Sequence, residues 1–129
     1  MAKGFQQNQE RNQALSSLGK DLTRRARSQC ELCASSGEKL VVHEVPPAPA
    51  EPSLESSMFI CQICADQIRH PARRDPDHWR CLNTSAWSEV PAVQVTAVRL
   101  LRALESEQWA GALLEQIYLE PEIEAWLES

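Results

Sequence analysis

Five cysteines carry most of the chemistry this sequence can support. Four fall in two pairs, Cys30-Glu31-Leu32-Cys33 and Cys61-Gln62-Ile63-Cys64, separated by 27 residues. A Cys-x-x-Cys turn offers two thiolates to one side of a soft ion at about 2.3 Å, and two such turns complete the tetrahedron that zinc prefers. The spacing predicts one zinc ion held by Cys30, Cys33, Cys61 and Cys64. A single pair can also be a chance occurrence, a redox couple or two small buried hydrophobes, but two pairs in one small domain make chance a poor account. The redox reading needs a thioredoxin-like strand-helix-strand context, which neither pair has. Four thiolates also fill the coordination of zinc and leave no position for an activated water, so the site reads as structural. The fifth cysteine, Cys81, is surplus to that shell and reads either as a packed thiol or as a reactive one.

Between the pairs runs "KLVVHEVPP", residues 39–47, with His43 and Glu44 adjacent on a strand that leads into prolines. The order of a cysteine pair, this strand, a second pair and a short helix resembles the zinc-bearing subset of HNH endonucleases. In that family a metal-binding residue precedes a histidine general base. Here His43 matches the ligand position and Glu44 stands where the base belongs, so the resemblance implies a degenerate metal-dependent nuclease using His43 and Glu44, with His70 as a further ligand. The plain alternative makes His43 a partly exposed strand residue and Glu44 a solvated or ion-paired one. His78, in "DPDHWR", faces the same choice between orienting a ligand and sitting in an Asp-Pro turn beside a buried Trp.

Several elements must position these residues. Residues 1–13 are rich in Gln and Asn and are expected to be poorly ordered. From Ala14 the apolar Leu15, Leu18, Leu22 and Ala26 recur at helical steps and predict one amphipathic helix ending before Cys30. Arg24, Arg25 and Arg27 near its end suit the helix dipole. Residues 39–45 predict a strand with Leu40 and Val42 on one face and Val41, His43 and Val45 on the other. The Pro- and Ser-rich "PPAPAEPSLESS" is a loop, and "SMFI" is a second strand that runs into Cys61. One or two helical turns follow Cys64 before Pro71 stops them.

Residues 71–88 have turn chemistry and two indoles, Trp79 and Trp87, that are expected to pin them. From Pro91 the pattern is helical, with Val95, Val98, Leu101 and Leu104 on one face. A second helix is predicted across Trp109, Leu113, Leu114 and Ile117, and a third after Pro121 with Ile123, Trp126 and Leu127. The predicted architecture is α+β: a small zinc ribbon, or a treble-clef-like zinc module, with two short hairpin strands and a mainly helical C-terminal segment. Its divisions are 1–13, then 14–70 with the zinc module, then 71–129 packed on it around Trp79, Trp87, Val95, Val98, Leu101 and Leu113. Between Gln29 and Gln67 the only aromatic is Phe59. A metal contributing on the order of 10–16 kcal/mol is what can order so thin a segment.

Charge bounds the partners. The net charge of −5 is uneven, with eleven basic and ten acidic side chains in residues 1–88 but two basic and eight acidic in residues 89–129. An acidic C-terminal segment argues against a nucleic-acid binder over the whole protein. Arg69, Arg73, Arg74 and Arg80 form the candidate interaction surface. No apolar run approaches the roughly 18 residues of a membrane span, and the first residues lack a signal-peptide core. Reduced cysteines and a metal site point to the cytoplasm.

"CELCASSGEKLVVHEVPP", "ICQICADQI" and above all "DPDHWRCLNTSAWSEVPAVQVTAVRLL" resemble the PhnA-like proteins, over residues 22–127. The resemblance implies an N-terminal zinc ribbon with Cys30, Cys33, Cys61 and Cys64 as ligands, and the family takes its name from alkylphosphonate operons. Longer proteins of this kind carry a Lys-Asp-Leu-x-Val-Lys-Gly signature, which does not occur here. Three functions follow in order. The first is a non-catalytic zinc module that meets a protein, or less readily a nucleic acid. The second is the degenerate HNH-like nuclease, and the third is a phosphonate-related hydrolase suggested by the family name alone.

Overall fold

The computed structural model describes the backbone from Ala2 to Ser129 and side chains from Gln9 onward. The chain opens with α1 (Ala2–Ser17) and α2 (Gly19–Ala26), followed by the strands β1 (Leu40–Glu44) and β2 (Ser57–Cys61) and then α3 (Gln62–Arg69). Two 3-10 turns, Pro71–Arg73 and His78–Cys81, lead into the short α4 (Leu82–Ser85). The helices α5 (Pro91–Ala103), α6 (Gln108–Gln116) and α7 (Pro121–Glu128) complete the fold.

Within the stretch expected to be poorly ordered, α1 runs from Ala2 onward. Gln, Glu, Arg and Ala are good helix formers whatever their polarity. Arg11 also gives α1 a tertiary anchor: it pairs with Glu44 of β1 and donates to the carbonyls of Pro49 (3.0 Å) and Ala50 (2.9 Å). The single predicted helix is divided at Leu18, after which α2 buries Leu22. It ends at Arg27 in the left-handed region, φ 56°, where that residue's N–H closes on the carbonyl of Arg24.

β1 and β2 pair antiparallel, with Leu40 opposite Cys61, His43 opposite Met58 and Glu44 opposite Ser57. The hairpin stays closed one residue further, where the Val45 N–H donates to the Ser56 carbonyl at 2.8 Å. β2 runs straight into α3, so the second cysteine pair opens a helix: Cys61 is its extended N-cap, and Cys64 lies in its first turn. α5 follows the predicted periodicity, with Pro91 at its start and Val95, Val98 and Leu101 buried. α6 and α7 fall where Trp109, Leu113 and Ile123 placed them.

One buried cluster joins the two halves. Cys30, Leu32, Met58, Ile60, Cys61 and Cys64 belong to the same core as Trp79, Leu82, Val93, Leu101, Leu113 and Ile123. The cysteine-bearing segment therefore does not rely on its own few apolar groups.

Trp79 is 0% exposed, as its expected pinning role requires, but Trp87 is 50% exposed and does not belong to the core. Trp87 follows the single turn of α4 and lies at the mouth of a groove with Tyr118, itself 74% exposed, and Glu89, Glu120 and Glu122. The chain between the 3-10 turns and α5 is short, and the inward position is taken by Ala86 instead.

Candidate metal centre

The first cysteine turn is fixed on three sides. Within it, the Cys30 N–H donates to the Ser35 carbonyl (3.0 Å), the Ala34 N–H donates to the Cys30 carbonyl (2.8 Å), and an isolated bridge joins Gln29 to Ser36. Ala34 takes φ 64° and Gly37 φ 78°, which reverses the chain immediately after Cys33. Outside it, Glu31 binds the turn to the hairpin. Its N–H donates to the Phe59 carbonyl at 3.0 Å, and its carboxylate accepts the Phe59 N–H at 2.8 Å.

Arg25 of α2 holds the far side of that carboxylate with a bidentate pair at 2.9 and 2.8 Å. Its remaining donors go to the carbonyls of Leu54 (3.0 Å) and Ser57 (2.7 Å). The sequence offers a helix-dipole account of Arg25. In the fold it is a partly buried tie that aligns the cysteine turn with β2.

The four sulfurs converge. All lie within 4.8 Å of one another, Cys30 Sγ is 3.7 Å from Cys64 Sγ, and Cys33 Sγ is 3.7 Å from Cys61 Sγ. Four ligands at about 2.3 Å from a tetrahedral centre lie about 3.8 Å from each other, which the two 3.7 Å separations match and the 4.8 Å limit on the rest brings within reach of one metal ion. A disulfide would bring two sulfurs to about 2.05 Å, and all five cysteines are free. Both short contacts cross from the first pair to the second, so the cluster joins the α2–β1 connection to the β2–α3 junction.

The surroundings favour a thiolate at Cys30 and the neutral thiol at Cys33 and Cys64. The Cys33 N–H points at Cys30 Sγ from 3.4 Å, and Cys64 sits in the first turn of α3, where the helix end is partly positive. The Cys30 thiol is held down at about 4, first because Cys64 hydrogen-bonds to it and with further help from backbone N–H groups, against the opposing effect of burial. Cys64 is correspondingly raised, by that same contact with Cys30 and then by burial and its neighbouring thiols. Cys33 is raised mainly by burial. Protons held on Cys33 and Cys64 must leave when a metal enters, so binding releases protons and weakens as the pH falls.

His78 is the residue whose role the sequence left open. Its Nε2 lies 3.3 Å from Cys64 Sγ, and its ring meets Trp79 edge-on with centroids 4.8 Å apart. A thiolate can only accept, so opposite an ionised Cys64 this nitrogen carries the proton and donates it toward sulfur. Such outer partners fix ligand orientation and offset the charge of a four-thiolate shell. Replacing His78 by Phe is expected to weaken zinc about tenfold, read by competition with a coloured chelator, while the fold at saturating zinc is kept.

Cys81 is partly buried against the core, and its thiol is pushed up to about 12, first by burial and then by the nearby Cys33 and Cys30. Of the two readings of Cys81, the packed thiol is the one its surroundings favour.

His43 and Glu44 are not brought together. Adjacent strand residues face opposite sides of a sheet. Glu44 is taken by Arg11, while His43 lines a cavity with Arg74 and Arg99. His70 is exposed beside Asp66, 3.7 Å away, and is not part of the sulfur cluster.

The four arginines of the candidate surface have separate surroundings. Arg73 pairs with Asp66 at 2.9 Å, and the Arg80 guanidinium lies 5.0 Å from the centre of the Trp109 ring. Arg74 donates to the carbonyls of Gln67 and Ile68, and Arg69 is exposed near His43. Among the described residues no helix is long and apolar enough to cross a membrane. Comparison with protein-family models, with curated proteins and with solved structures finds no match to this chain.

Proposed function

We propose that this chain is a non-catalytic interaction protein of PhnA-like type, built on one structural zinc ion in a treble-clef-like module. The observation that carries the reading is the convergence of four cysteine sulfurs within 4.8 Å of one another, two pairs of them 3.7 Å apart. Four thiolates leave zinc no open position for water or substrate, so the metal would order the chain and not activate a nucleophile. The opening of α3 by the second cysteine pair favours the treble-clef-like form over a plain ribbon.

The surface that a protein partner would meet is the groove bearing Trp87 and Tyr118, which are large aromatic side chains left half or more exposed. Glu89, Glu120 and Glu122 on its rim suit a basic segment. A cytoplasmic setting follows from the need to keep all five thiols reduced.

The enzyme alternative is tested with supercoiled plasmid in magnesium. The zinc-loaded protein and its His43→Ala variant are expected to leave the plasmid equally intact. Nicking by the native protein that vanishes in the variant would replace this reading with the nuclease one.

A further inference from the structure

A cavity of about 180 Å³ lies between β1, the end of α3 and α5, away from the cysteine cluster. Its polar lining includes His43, Arg74 and Arg99, set against an apolar wall of Pro46, Ile68 and Leu100. Thr96 also lines it, but spends its hydroxyl on the Ala92 carbonyl at 2.9 Å. No carboxylate is among the lining residues.

The two guanidiniums are fixed by neutral partners. Arg74 donates to the Gln67 and Ile68 carbonyls, both at 2.9 Å, and Arg99 to the carbonyls of Pro46 (2.6 Å) and Trp126 (3.2 Å). Neither takes part in an ion pair among the described residues. A guanidinium carries five N–H donors, so each retains donors beyond those used in holding it still. Their charges also reinforce one another with those nearby. Arg102 opposes the charge on Arg99 and Arg69 opposes protonation of His43, in both cases after burial, while only Glu44 acts the other way on His43.

Uncompensated positive charge at a preformed cavity, in a chain of net charge −5, is an anion site in its electrostatics. We propose that this cavity binds the phosphoryl group of a small phosphate monoester, with Arg74 and Arg99 holding its oxygens and His43 making the third polar contact. Two guanidiniums from different elements suit a dianion whose oxygens point in several directions, and charge-assisted bonds of this kind are the strong ones. The volume admits one such group with a small organic tail against Ile68 and Leu100. A nucleic acid fits less well, because residues 89–129 carry eight acidic and only two basic side chains.

The test uses the zinc-loaded full chain and follows the His43 ring signals by NMR at constant ionic strength. Inorganic phosphate and glycerol 3-phosphate are the probes, with sodium chloride as the control and a short DNA duplex as competitor. Saturable movement of the His43 signals with both phosphates but not with chloride is expected. R74K and R99K keep the charge and lose the fork, and each is expected to weaken glycerol 3-phosphate about tenfold while the remaining spectrum stays native. Absence of saturation, equal movement with chloride, or undiminished binding by both variants would overturn the proposal. DNA binding more tightly than the monoester at physiological salt would overturn it as well.

Discussion

Cys61→Ser is expected to lose both the bound metal and the native core. Cys61 ends β2 and caps α3, so its sulfur is where the hairpin, the helix and the cluster meet. It is also packed in the same buried cluster as Trp79 and Leu101. A structural zinc in a small module contributes on the order of 10–16 kcal/mol of apparent binding energy, against a net folding stability of about 5–15 kcal/mol for a whole domain.

Losing most of that contribution exceeds what the remaining contacts retain. Metal content should fall from one zinc per chain to near none, and cooperative melting by circular dichroism should disappear. Chelation of the native protein should give the same loss, while Cys81→Ser, which removes no cluster sulfur, should keep metal and melting close to native. Because Cys33 and Cys64 hold protons that zinc displaces, loading at neutral pH should release protons, seen calorimetrically as a heat that changes with the buffer. Lowering the pH favours the protonated, metal-free side and should promote loss of metal.

Arg25→Ala is expected to destabilise the zinc-loaded protein by about 3 kcal/mol, read as a shift of the urea midpoint. The pair is largely screened from solvent at the carboxylate and less so at the guanidinium, with side-chain exposures of 5% for Glu31 and 20% for Arg25. Removing the arginine leaves the Glu31 carboxylate buried and frees the Leu54 and Ser57 carbonyls of their charged donor. Breaking one partner of a buried pair costs far more than an exposed pair is worth. Removing both charges as Arg25→Met with Glu31→Leu should recover part of the loss, since no lone charge then remains. A loss confined to the few tenths expected of a dipole contact would show that Arg25 does no more than complement the end of α2.

What could be read in advance was local. The cysteine spacing gave the cluster, alternation in residues 39–45 gave a strand, and the repeat of Val95, Val98 and Leu101 gave the buried side of α5. The separation of His43 from Glu44 was also present in that alternation, because neighbours on a strand face apart.

The rest depended on partners far along the chain. Most of α1 is polar, and the contact between Arg11 and Glu44 spans 33 residues. His78 stands 14 residues from Cys64, and nothing between them announces their approach. Arg74, in the turn beyond α3, and Arg99, on α5, line one cavity with His43 of β1, a meeting that no local spacing announces. The two indoles show the same limit within one stretch: Trp79 is enclosed and Trp87 half exposed, and only the packing above each distinguishes them.

The proposed structural zinc is enclosed by a shell of four thiolates. X-ray absorption at the zinc edge, on protein purified without added metal, tests it most directly. The expected result is one zinc per chain surrounded by four sulfur atoms at about 2.3 Å with no oxygen or nitrogen neighbour. A shell of three sulfurs and one lighter atom, or a folded chain carrying no metal, would contradict it.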